Sequence, residues 1–344
     1  MIRFECDYAE GCHPAVLQRL IESNEEQTKG YGLDPHCDNA RRLVRELCEA
    51  PEADVHFLVG GTQANTTVIA SVLRPHQGVL CARTGHINAH ETGAIEASGH
   101  KVLALSSEDG KITAGQIREA YDTHFNDPDH EHTVQPGMVY LSQSTENGTI
   151  YSRSELTAIS ETCHACGLPL FLDGARLGYA LVSSGSDLTA ADLARLCDVF
   201  YIGGTKVGAL FGEAVVITNP ALKPDFRYHI KQHGGMLAKG RLLGIQFETL
   251  LEGGSDSLYF QISRHAVELA LKLKEAFAAK GYRFLYDSPS NQQYPILPDF
   301  EVERLSRDFS FAVWCKVDES HTAVRFCTSW ATKPEAVDTL IRAL

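Results

Sequence analysis

The chain has 344 residues, 44% of them hydrophobic and 22% charged, enough for one large core with a smaller one beside it. Acidic residues number 44 against 31 basic ones, a formal net charge of −13 with no Lys/Arg stripe, which excludes a nucleic-acid-binding surface. No apolar run reaches bilayer-spanning length, residues 1–7 carry no signal-peptide pattern, and ten scattered cysteines make no disulfide framework, so a cytoplasmic protein away from membranes is expected.

Along the chain, apolar runs bounded by turn residues alternate with helical periodicity. Strands are expected at Val55–Leu58, Gly78–Ala82, Lys101–Leu105, Gly137–Leu141, Pro169–Leu172, Val199–Ile202 and Gly212–Ile217. Helices are expected between them at Gln63–Leu73, Glu91–Ala97, Ala114–Tyr121, Arg153–Cys166 and Ala190–Leu196. Such alternation predicts an α/β fold with a mainly parallel sheet sandwiched by helices, and continuously apolar strands suit burial on both faces. Cys163 and Cys166 share one of these helices with no second pair to complete a metal site, so both read as packing residues. The polar segment Asn126–Thr133 reads as a surface loop.

After Gly234 and Gly235 a helical region runs from Met236 to about Lys280. Strands at Tyr282–Leu285, Phe309–Lys316 and Thr322–Cys327 and a closing helix at Glu335–Leu344 follow. The expected division is therefore an N-terminal arm and large domain over residues 1–240, then a smaller α+β domain over 241–344.

Three segments carry candidate chemistry. Gly60, Gly61 and Thr62 lie where a short strand opens into a helix, and glycines there let backbone N–H groups approach an anion such as a phosphate. Thr62 could also cap the helix, and such turns also occur simply as tight turns. Asp173 ends a buried strand, where ligands bind in open α/β sheets, and a carboxylate there needs a cation; a protonated pyridine nitrogen is one such partner. It could instead cap the next turn or pair with Arg176. Lys206 follows Gly203, Gly204 and Thr205 in an apolar setting that favours the neutral amine required for a Schiff base. Otherwise it is a strand-end lysine reaching solvent. Phosphate cradle, acidic pyridine partner and lysine, in this order, match pyridoxal 5'-phosphate (PLP) enzymes of fold type I.

The chain resembles the threonine aldolase / β-eliminating lyase family. The likeness is carried by Lys29 to Asp34, Gly60 to Asn65, Gly85 to Ile87, Glu146 to Gly148, Leu172 to Arg176, Gly204 to Lys206 and Val324 to Trp330. It implies an aspartate-aminotransferase-like fold and PLP-dependent retro-aldol cleavage of L-threonine, L-allo-threonine or a related β-hydroxy-α-amino acid to glycine and an aldehyde. In the implied roles His86 stacks on the pyridine, Asp173 pairs with its nitrogen and Lys206 forms the Schiff base. Gly61 and Thr62 hold the phosphate, and Arg176 and Arg325 grip the substrate carboxylate. Lys231 reaches the phosphate and Tyr31 the substrate, both across a subunit boundary, in a homodimer or homotetramer with shared sites. Glu146 stands where many bacterial members carry a histidine, so it is the candidate general base. His86 and His90 have the spacing of a helical metal pair, but no third ligand accompanies them and no metal is expected. The alternatives are a β-eliminating PLP lyase, an aminotransferase, or a PLP-binding protein without turnover.

Overall fold

The computed structural model describes residues 1–344. The chain begins with strand β1 (Ile2–Arg3) and helices α1 (Pro14–Glu22) and α2 (Pro35–Leu47). The alternating part follows with β2 (Asp54–Leu58), α3 (Gly61–Val72), β3 (Gln77–Ala82), α4 (His86–Ala89), α5 (Ala94–Ala97), β4 (Lys101–Leu105) and α6 (Ala114–Phe125). It continues with β5 (Gln135–Ser142), α7 (Arg153–Cys166), β6 (Leu170–Asp173), α8 (Leu177–Val182), α9 (Ala190–Leu196), β7 (Val199–Gly203) and β8 (Glu213–Ile217). Helices α10 (Phe226–Gln232), α11 (Arg241–Leu251) and α12 (Leu258–Ala279) come next. The C-terminal part holds β9 (Gln292–Gln293), β10 (Ile296–Pro298), α13 (Asp299–Leu305), β11 (Phe309–Ser310), β12 (Ala312–Lys316), β13 (His321–Cys327) and α14 (Pro334–Ala343).

The large sheet has the order β2-β8-β7-β6-β5-β3-β4. Strands β7, β6, β5, β3 and β4 run parallel, while β8 is antiparallel to both β2 and β7. The reversal at β8 has a plain cause: residues 204–212 are too few for the crossover helix that a parallel neighbour requires. Apolar side chains fill both faces, in one cluster toward α2, α7, α11 and α12 and another toward α3 and α10. Local sequence fixes the helix ends. Ser152 and Glu155 form a capping box at the start of α7, and Gly167 ends it in the left-handed conformation at φ 66°.

Four expectations are corrected. The helix expected over Glu91–Ala97 is interrupted, because Thr92 and Gly93 both take positive φ, and α4 and α5 flank the break. The helical region from Met236 divides at Gly253 and Gly254, again at positive φ. Tyr282–Leu285 makes one bridge, Phe284 with Pro295, and no strand. The run Phe309–Lys316 splits, since β11 pairs with β1 while β12 pairs with β13.

The cores cross the expected division at residue 240. Leu243, Phe247 and Leu250 of α11 join the large core, as does the first half of α12. The second half of α12, through Leu269, Leu273 and Phe277, belongs to the small core, and so does Phe4 from the N-terminal arm. This arm therefore ties the two ends of the chain together and carries residues 5–8 to the boundary between the cores.

Candidate active site

Strands β5, β6 and β7 end side by side, with Ser142 paired to Asp173. Their ends pack closely because of glycine: a Cβ on Gly174 would lie 1.8 Å from the Tyr201 carbonyl oxygen. Two adjoining cavities of about 300 and 550 Å³ open above these ends. They share Tyr8, His86, Glu146, Arg176 and Lys206. The structure thus brings Lys206, Asp173, His86 and Glu146 together although they come from four separate segments.

The smaller cavity also meets the start of α3 at Gly60, Gly61 and Thr62. Gly60 is the N-cap and no side chain caps the helix, so its first N–H groups are left for a ligand. Thr62 stands inside the first turn and does not cap it. The space beyond Gly60 is open, with no atom within 4 Å of an added Cβ.

Asp173 is buried and well supplied with donors. Its Oδ2 accepts from Tyr140 Oη at 2.5 Å and Asn65 Nδ2 at 3.2 Å, and its Oδ1 from the Ala175 N–H at 2.9 Å. It does cap the following turn, but Arg176 is not its partner. Burial opposes its ionisation, yet His86 and the donated hydrogen bonds outweigh burial and hold its pKa below the ordinary value. One lone pair on Oδ1 remains for a further N–H.

His86 opens α4, and its Nδ1 lies 2.7 Å from the fully buried Glu91 carboxylate. Glu91 also accepts from Asn65 at 2.7 Å, which links the histidine to Asp173. Burial alone would lower the His86 pKa, but the Glu91 hydrogen bond and the Asp173 charge raise it.

Lys206 lies in the turn between β7 and β8, and its amine makes no ion pair within 4 Å. Burial, then the Arg176 charge, lowers its pKa. Beside it Glu213 accepts from Thr205 Oγ1 at 2.7 Å and from the Gly204 N–H at 3.1 Å. Burial pushes the Glu213 carboxyl up to about 8.

Glu146 accepts from Ser142 Oγ at 2.8 Å and the His86 N–H at 3.0 Å through Oε1, while its buried Oε2 has no partner. Burial, then the nearby Asp173 charge, raises its pKa. A raised pKa makes a carboxylate a stronger proton acceptor.

The arginines differ from each other. The Arg176 fork is taken up by Asp7, with Nε to Oδ2 at 2.7 Å and Nη2 to Oδ1 at 3.0 Å. Both N–H groups of Nη1 and the second N–H of Nη2 are left for another ligand. Arg325 donates to the Glu5 carbonyl at 3.0 Å and to Gln292 at 3.3 Å, lies over Trp314, and keeps a buried Nε without a partner. Tyr31 and Lys231 line neither cavity of their own chain; the Lys231 amine lies 5.4 Å from the Tyr31 ring centre, at the surface.

Sequence reading missed Asp7 as a partner of Arg176, together with Asn65, Glu91, Tyr140, Tyr201 and Glu213. The available signals were weak ones: tyrosines inside the apolar runs of β5 and β7, and an acid opening the apolar run of β8.

Residues 7–284 match the model of the β-eliminating lyase family. A low specificity L-threonine aldolase of Pseudomonas aeruginosa is 32% identical over 99% of this chain and 96% of its own. Another from a Pseudomonas species is 30% identical over 97% and 94%. A solved structure of threonine aldolase from Leishmania major superposes with a TM-score of 0.96 at 46% identity, covering 100% of this chain and 98% of that one. An aspartate aminotransferase variant of Thermus thermophilus shares the fold, with a TM-score of 0.72 at 14% identity over 100% of this chain and 92% of that one. On these matches, which run through both cavities and nearly the whole chain, the protein belongs to the β-eliminating lyase family.

Proposed function

We propose that this chain is a PLP-dependent aldolase that cleaves L-threonine, L-allo-threonine or a related β-hydroxy-α-amino acid to glycine and an aldehyde. The observation that carries the proposal is the convergence of Lys206, Asp173, Glu146 and Arg176 on one cavity whose floor is an uncapped helix N-terminus. That site suits the cofactor: an open anion cradle, an acid with one lone pair to spare, and an amine free of ion pairs. PLP, when bound, supplies an aldehyde that condenses with amines and a protonated ring that accepts an electron pair.

The chain's own groups then divide the work. Lys206 offers the amine, whose charge burial and then Arg176 disfavour. Asp173, held ionised by its donors, would pair with the ring nitrogen and favour its protonated form. His86, fixed by Glu91, covers the site from the side of α4. Arg325 Nε and Arg176 Nη1 bind the substrate carboxylate, and so fix the amino acid's orientation. Glu146 Oε2 takes the proton of the β-hydroxyl as the Cα–Cβ bond breaks, and a proton returned to Cα completes glycine. Tyr31 and Lys231 are assigned to a neighbouring subunit's site in a homodimer or homotetramer.

The test is product analysis with an absorbance spectrum. Purified protein should show a cofactor band that L-threonine or L-allo-threonine changes, with glycine and aldehyde released. Lys206→Ala should lose the wild-type band and nearly all turnover. Ammonia and a keto acid in place of glycine and aldehyde would instead make the protein a β-eliminating lyase.

A further inference from the structure

We infer that the Tyr201 hydroxyl is a ligand of the cofactor's phosphate, a role that rests on the PLP reading of this site. Tyr201 stands on β7, buried between Phe171 and the cavity, with ring centroids 6.2 Å apart. Tyr201 lines the cavity of the helix cradle, and its Oη is shielded from solvent and makes no hydrogen bond of full geometry in the chain, although it stands near enough to Asp173 to favour that carboxylate's charge. A buried hydroxyl left unpaired is costly, and a ligand that completes it recovers the loss.

Position selects the ligand atom. A Cβ added at Gly61 would lie 3.2 Å from Tyr201 Oη, so the hydroxyl stands at the first turn of α3, where the uncapped N–H groups gather an anion. Glycine at 61 leaves the way between them clear. The other acceptor within reach is Asp173, whose charge Tyr201 helps to stabilise. That carboxylate already receives Tyr140, Asn65 and the Ala175 N–H, and its remaining lone pair is needed by the ring nitrogen. Glu213 is engaged with Thr205 and Gly204. A phosphate, with three oxygens to satisfy, is the acceptor that the first turn of α3 would bring to this donor.

The test compares apoprotein of wild type and Tyr201→Phe by equilibrium dialysis, with PLP and with pyridoxal, which lacks the phosphate. The variant should bind PLP about tenfold more weakly, as for a lost hydrogen bond to a charged group, yet bind pyridoxal as wild type does. Its apoprotein should unfold cooperatively and close to the wild-type temperature, which shows that the fold is kept. Unchanged PLP affinity, or equal weakening for both ligands, would overturn the assignment; equal weakening would give the hydroxyl to Asp173. Wild-type protein that binds no PLP would instead remove the site reading itself.

Discussion

Asp7 and Arg176 are 169 residues apart in sequence and form a buried two-point ion pair at the edge of both cavities. Burial opposes the Asp7 charge, but Arg176 and then Lys206 outweigh it and hold its pKa at about 2. Because this folded value lies below the ordinary 3.8, the stabilisation is complete above about pH 4 and is lost as pH falls toward 2. Its linked contribution at neutral pH is roughly 2 kcal/mol. Asp7→Asn should cost more, about 3–5 kcal/mol at pH 7, since Arg176 is then buried without a counter-charge. Urea unfolding of both proteins between pH 7 and pH 2 checks this: their difference should narrow as the acid limit is approached. Parallel loss of stability in the two would show that the pair is not what carries the acid limb.

At the scale of elements, α3 and α7 make opposite choices at their N-termini. Helix α7 has a full capping box, whereas α3 begins at Gly60 with no side-chain cap. The missing cap is a cost to the helix that leaves its N–H groups free for an anion. Gly60 has an extended backbone, with φ −174°, and open space around an added Cβ, so a larger residue is accommodated without strain. Gly60→Asp should therefore stabilise the apoprotein, by about 0.5–1 kcal/mol from cap and helix dipole together. The same carboxylate would occupy the N–H groups and repel phosphate, so PLP affinity should fall at least tenfold by order of magnitude. Thermal unfolding and cofactor dialysis on one preparation read both effects. A variant that gains stability without losing affinity would place the phosphate elsewhere.

For the whole molecule, the consequence lies in Tyr31 and Lys231, which sit together at the surface outside both active-site cavities of their own chain. If they serve a neighbour's site, two inactive variants should complement each other. Mixing Lys206→Ala with Lys231→Ala chains under conditions that exchange subunits should restore part of the activity that neither has alone. Mixtures as inactive as their components would return both residues to a purely local role. No helix is long and apolar enough to cross a membrane.

The sequence by itself determined the alternating elements, because burial on both faces of a sheet writes continuous apolar runs, and capping residues such as Ser152 and Gly167 mark helix ends locally. It also marked Gly60, Asp173 and Lys206, each at the end of an apolar run and in the chain order of phosphate cradle, acid and lysine. What it left undecided depends on contacts between distant segments. The pairing of β8 with β2, the pairing of β1 with β11, and the capture of the Arg176 fork by Asp7 leave no local pattern. The same holds for the Glu91–Asn65–Asp173 chain and the unpaired Tyr201 hydroxyl, which look like ordinary helix and strand residues until the strands pack. Only the tertiary structure decided these, because hydrogen-bond partners and desolvation are set by packing in three dimensions and not by spacing along the chain.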